Sequence, residues 1–181
     1  MRTLAITQNM SADGSIEFLG DWFDPTDQAE DLAAEVRRQS DDEAYMLLGR
    51  QTFTDFRGFW PHQTDDTTGI TDYLNQVQKL VVSSTLGDPE WQNSTVLGAD
   101  WLDRVRSLKA EDGGDIVVTG SLTVCPTLIE AGLVDEYRLF VYPAVQGGGR
   151  RLFPDGREDA LVLKDSKTFA NGVVLLVYTP A

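Results

Sequence analysis

Asp115-Ile-Val-Val-Thr-Gly-Ser-Leu122 is the stretch that sets the fold class. Ile116, Val117 and Val118 form an unbroken β-branched run, and a strand with one wet face would alternate with polar residues instead. The run therefore predicts a strand buried on both sides. Gly120-Ser121 ends it, and the residues to Ala131 read as a helix with Gly132 behind it as a stop. A buried strand feeding a helix predicts a parallel sheet covered by helices.

The same alternation extends in both directions. Upstream, strands are expected at Leu4–Gln8, Ala44–Leu48, Val77–Ser83 and Thr95–Leu97. Helices are expected at Gln28–Gln39, with Ala29, Leu32, Ala33 and Val36 on one face, at Thr52–Phe56, and at Trp101–Leu108. Downstream, Glu136–Tyr142, a segment opening at Leu161–Leu163, and Val173–Tyr178 read as strands. Asn171-Gly172 before the last one signals a hairpin, since both residue types tolerate positive φ. The expectation is one α/β domain over residues 1–181. It has a mostly parallel sheet with helices on both faces and an antiparallel C-terminal hairpin, and 58–69 and 146–157 are surface loops.

Composition narrows the function. An apolar share of 41% over 181 residues is enough for a core. No run approaches the roughly 20 apolar residues of a membrane span, and the apolar stretch Leu4–Ile6 is too short for a secretion signal, so a cytoplasmic protein is expected. A net charge of −14 argues against nucleic acid and anionic membranes as partners. The lone cysteine, Cys125, excludes an internal disulfide and a cysteine-rich metal site. The lone histidine, His62, builds no triad with it, and no carboxylate spacing reads as a metal site.

Ligands of open α/β sheets lie beyond the carboxyl ends of parallel strands, and the turns at these ends carry phosphate-type chemistry. Gly49-Arg50-Gln51-Thr52 joins a tight turn, a planar cation and a hydroxyl at a helix start. Ser83-Ser84-Thr85 places hydroxyls at the end of a buried strand, suited to the 2′-phosphate of NADP or merely to capping. Thr119-Gly120-Ser121-Leu122 allows a pyrophosphate near the backbone, with Ser121 as a helix cap. Neither the G-x-G-x-x-G nor the P-loop pattern is present. The loop after the first strand, with its Asp13-Gly14 turn, either covers a reacting centre or is an ordinary polar turn. In the first case Ile16 lies against a nicotinamide and Gln8, Asn9 and Asp13 are on the substrate side.

In order, Ser11–Ile16, Leu48–Phe53, Val81–Ser84, Ile116–Ser121, Gly132–Glu136, Tyr142–Gly149, Leu152-Phe153 and Gly172–Tyr178 resemble the dihydrofolate-reductase-like superfamily. Within it they resemble the riboflavin-biosynthesis reductase (RibD C-terminal) family. The resemblance implies an eight-stranded sheet, a homodimer and an NADPH-dependent reductase of a small molecule, with a ribosylamino-pyrimidine as that family's substrate. It implies phosphate contacts from Gly49, Arg50, Gln51 and Thr52, and adenosine-phosphate contacts from Ser83 and Ser84. Thr119, Gly120, Ser121 and Leu122 would lie along the pyrophosphate, and Asn9 and Ile16 beside the nicotinamide. Thr119 stands where the family usually has a glycine, so its β-carbon is expected to crowd the diphosphate. Asp27, Glu30 and Asp31 fall where dihydrofolate reductase carries its acid, but no local motif assigns a catalytic residue. The alternatives are a binding module of the same fold without hydride transfer, or a dimeric scaffold.

Overall fold

Eight strands share one sheet in the order β4-β3-β2-β5-β1-β6-β8-β7. The computed structural model describes residues 1–26 and 28–181. The strands are β1 (Leu4–Ser11), β2 (Glu43–Gly49), β3 (Gln78–Val82), β4 (Ser94–Leu97), β5 (Asp115–Thr119), β6 (Glu136–Tyr142), β7 (Leu161–Thr168) and β8 (Val174–Pro180). The first six are parallel to their neighbours, and β8 and β7 complete the sheet antiparallel. Five α-helices lie among the described residues: α1 (Glu30–Ser40), α2 (Arg50–Phe59), α3 (Ile70–Gln76), α4 (Trp101–Ala110) and α5 (Val124–Glu130).

Central β5 is buried as its composition requires: Ile116, Val117 and Val118 are at most 2% exposed. Alternate side chains leave opposite faces, and the strand register sorts them. Leu4, Ile6, Leu47, Leu80, Ile116, Val118 and Leu139 join Val105, Leu108, Cys125 and Leu128 of α4 and α5 in one core. The other face carries two separate clusters. Met46, Leu48 and Val81 pack with Phe53 of α2, Leu74 of α3 and Trp60. Phe140, Tyr142, Leu175 and Val177 pack with Leu32 of α1. Between these clusters the middle of the sheet, with Thr7 and Asn9 of β1 and Val117 and Thr119 of β5, is left without a helix over it. That gap positions the site.

Three local expectations change. The short helix α3 was not expected; its end is closed by Lys79, whose ammonium donates to Leu74 O at 2.6 Å and Val77 O at 3.1 Å and lies 4.5 Å from the Trp91 ring. Burial of that ammonium pulls it down to about 8. Helix α5 starts at Val124 rather than directly after the turn, because Gly120 and Ser121 both take left-handed φ, 62° and 59°. In the β7–β8 connection only Gly172 has positive φ. The link is a longer loop closed by Phe169 N–H donating to Val173 O at 2.9 Å.

Candidate functional site

The uncovered strip of sheet is the floor of a cleft of about 1720 Å³, open at the carboxyl ends of the strands and running between α1 and α2. The turns after β2, β3 and β5 and the end of β1 all line it, so segments far apart in the chain converge on one rim. Gly49, Arg50, Gln51, Thr52, Ser83, Ser84, Thr119, Gly120, Ser121 and Leu122 are there, with Gln8, Asn9 and Ile16 beside them.

The hydroxyls are set by the backbone. Thr52 Oγ1 accepts from Ser121 N–H at 3.0 Å, and Ser83 Oγ accepts from Thr85 N–H at 3.2 Å and Leu86 N–H at 2.9 Å. With lone pairs engaged in this way, the hydrogens of Thr52 and Ser83 are left to donate to an anion. The first turn of α2 has no capping side chain, so its opening N–H groups are also unpaired donors. Arg50 lines the rim and makes no ion pair among the described residues, in a chain with net charge −14. Gln51 is partly committed, donating to Asp55 at 2.8 Å.

Ser121 does not cap α5, contrary to expectation. Its Oγ accepts from Gly49 N–H at 2.7 Å and so ties the β5 turn to the end of β2. Thr119 lies in the strand, paired with Thr7, and the tight position is Gly120 itself. A β-carbon there would fall 2.9 Å from the Thr52 methyl at φ 62°. Gly120→Ala is expected to lower the unfolding free energy by about 1–3 kcal/mol in chemical denaturation, through backbone strain and that contact. An unchanged midpoint would refute this.

Two residues expected to face substrate are otherwise engaged. The Gln8 amide donates to Gly120 O at 2.9 Å and supports the turn from below. Asp13 is not on the cleft. Its carboxylate accepts from the Ser11 hydroxyl at 2.6 Å and from the backbone N–H of Gln146 at 3.1 Å and Gly147 at 2.8 Å. These bonds hold its carboxyl at about 2, so it pins one loop to another. Asn9 lines the cleft with its side chain unpartnered. Ile16 is 5% exposed and packs into the α4–α5 core at the edge of the rim.

The first-helix acids do not supply a group to the cleft. Asp31 accepts from Ala170 N–H at 2.9 Å, and neither it nor Glu30 is on the lining, while Asp27 lies outside the described residues. Cys125 is buried, donating from Sγ to Gly120 O at 3.2 Å, and burial pushes its thiol up to about 12, which makes it a packing residue. No group of three or more metal-ligating side chains occurs among the described residues, and no helix among them is long and apolar enough to cross a membrane.

Acids of other elements do line the cleft, and the buried one among them is Glu43 at the start of β2, at the far end from the glycine turns. Tyr73, also on the lining, donates its hydroxyl to Glu43. Burial pushes the Glu43 carboxyl up to about 7, against the opposing pull of the Tyr73 bond and Arg138. Arg138 of β6 donates to Glu136 at 2.7 Å and to Asp115 at 2.6 Å, and lies 4.0 Å from Glu43. It reaches β5 across β1, the strand between them, where its register partner is Thr7. Sequence reasoning missed this cluster. Its one local signal was a charged residue inside the otherwise apolar run of β6.

The sheet order and the convergence of turns along its carboxyl edge define the dihydrofolate-reductase-like class. A protein from Shewanella sp. PV-4 described as a riboflavin biosynthesis protein superposes with a TM-score of 0.78 at 16% identity, covering 99% of each chain. A pyrimidine reductase-like protein of Corynebacterium diphtheriae gives 0.70 at 15% identity, covering 99% of this chain and 92% of the other. RibD of Acinetobacter baumannii gives 0.64 at 14%, and there this chain spans 58% of its length. In sequence, the uncharacterized protein YyaP of Bacillus subtilis (strain 168) is 32% identical over 136 residues, 74% of this chain and 72% of that protein. The RibD C-terminal domain model matches residues 2–175, and the chain belongs to that family.

Proposed function

We propose that the protein is an NADPH-dependent reductase of a small heterocyclic substrate, of the ribosylamino-pyrimidine type or chemically related to it. The observation that carries this reading is the convergence on one rim of Arg50, which makes no ion pair among the described residues, the uncapped start of α2 and the hydroxyls of Thr52 and Ser83. That donor set fits the phosphates of a dinucleotide. The bound nicotinamide would supply the hydride, as cofactors carry such chemistry.

The chain's own part is orientation. Gly49 and Gly120 let backbone approach the ligand, Asn9 offers an amide beside the reacting end, and the cleft walls limit water. Arg50→Ala is expected to weaken NADPH binding 10–100-fold in a fluorescence titration, the loss of a charge-assisted hydrogen bond of about 1.5–3 kcal/mol. If the wild type shows no saturable binding up to near-millimolar NADPH, the reading is abandoned.

A second reading has one observation in its favour. No carboxylate of the described part of α1 reaches the cleft, which suits a binding module of the same fold without hydride transfer. NADPH consumption with a panel of pteridines and ribosylamino-pyrimidines separates the two, since only the reductase oxidises the cofactor.

A further inference from the structure

We infer that Ser121 is a positioning residue for the dinucleotide, holding the β5 turn and the start of α2 together as one preformed phosphate cradle; the inference rests on the cofactor reading. Among the described residues, Glu90, Asn93 and Ser121 take positive φ without being glycine. Glu90 and Asn93 are exposed, whereas Ser121 is 4% exposed at φ 59°. A side chain in left-handed backbone costs energy that glycine avoids. Strain of that kind persists where surrounding bonds hold it, and it gathers at ligand clamps.

The bonds around Ser121 run to both turns. Its Oγ accepts from Gly49 N–H at 2.7 Å, and its N–H donates to Thr52 Oγ1 at 3.0 Å. The hydroxyl hydrogen has Thr119 O at 3.3 Å and Thr52 Oγ1 at 3.4 Å within reach. The Ser121 carbonyl accepts from Val124 N–H at 3.0 Å and Cys125 N–H at 3.1 Å, so the same residue is also fixed to the start of α5.

Gly49 is the N-cap of α2, and Thr52 stands three residues after it. In a local capping box the residue at Thr52's place bonds back to the N–H of the cap. Here that bond comes from Ser121, 72 residues away. Thr52 keeps its hydroxyl hydrogen for an anion. The Ser121 hydroxyl therefore sets where Gly49 and Thr52 sit relative to Gly120 before a ligand arrives. A site ordered in advance removes that ordering cost from binding.

Ser121→Ala and Ser121→Gly both remove the hydroxyl, and only glycine also relieves the positive φ. The glycine variant is expected to unfold at a higher urea concentration than the alanine variant. Both are expected to weaken NADPH binding about three- to tenfold in a fluorescence titration of the full chain, the range one lost hydrogen bond gives. Equal losses of affinity at unequal stability mark positioning, because in a merely structural role affinity would follow stability. Amide exchange at Gly49 in the cofactor-free protein is expected to quicken in both variants. If the alanine variant fails to fold, the glycine variant against wild type decides. Wild-type affinity in a folded variant, affinity regained in Ser121→Gly, or unchanged exchange at Gly49 overturns the inference. A wild type without saturable NADPH binding is a distinct result: it overturns the cofactor reading itself, and this role with it.

Discussion

Arg138→Met is expected to lower the unfolding free energy by about 3–5 kcal/mol, the usual cost of removing one partner from a buried charge cluster. Arg138 is 9% exposed, and its side chain spans β6 to β5 across β1. Without it, Asp115 loses a 2.6 Å ion pair and Glu136 keeps only Lys164, at 2.8 Å. Two carboxylates would then stay desolvated beside Glu43 with one cation between them. The energetic argument concerns the carboxylates left behind, so neutralising one of them should return part of the loss. Arg138→Met combined with Asp115→Asn is expected to be more stable than Arg138→Met alone, by a coupling of about 1–3 kcal/mol in a double-mutant cycle. Additive effects of the two substitutions in urea denaturation would refute the cluster as a unit.

Glu43 governs the second large effect, a dependence of stability on pH. Its carboxyl sits at about 7 in the folded chain, raised chiefly by burial from an ordinary 4.5. The folded state therefore holds a proton that the unfolded state releases near 4.5. Stability from this group is complete below that value, falls as pH rises through about 7, and is level above it. At about 1.4 kcal/mol for each unit of displacement, the fall is about 3 kcal/mol. Glu43→Gln keeps a partner for the Tyr73 hydroxyl and cannot titrate. The difference in unfolding free energy between wild type and variant should thus change by about 3 kcal/mol between pH 4.5 and pH 8, with the wild type losing ground as pH rises. Parallel profiles over that range would remove Glu43 as the titrating group.

The polar rim was largely legible because it depends on local chemistry. Gly49 and Gly120 follow apolar runs, hydroxyls follow Val82 and Gly120, and the carboxyl ends of parallel strands lie along one edge of a sheet. Roles within the rim were less legible. Ser121 reads locally as a helix cap, yet its positive φ turns the hydroxyl toward β2, and Asp13 reads as a substrate group, yet its carboxylate closes a contact with residues 146 and 147. In both cases the deciding partner is distant in sequence, 72 residues away for Ser121. The buried ammonium of Lys79 has a different cause: it sits beside the end of α3, a helix too short to announce itself by periodicity.

Taken alone, the amino-acid sequence determined the alternation of buried strands and helices, the glycine turns and the C-terminal antiparallel pair, since hydrophobic period and backbone freedom act over a few residues. Only the tertiary structure decided that two helical clusters on one face stand apart and leave a cleft, that Arg138 reaches across β1 to Asp115, and that Glu43 keeps its proton near neutrality. Burial and charge pairing are properties of what surrounds a side chain, and chain folding alone brings those surroundings together.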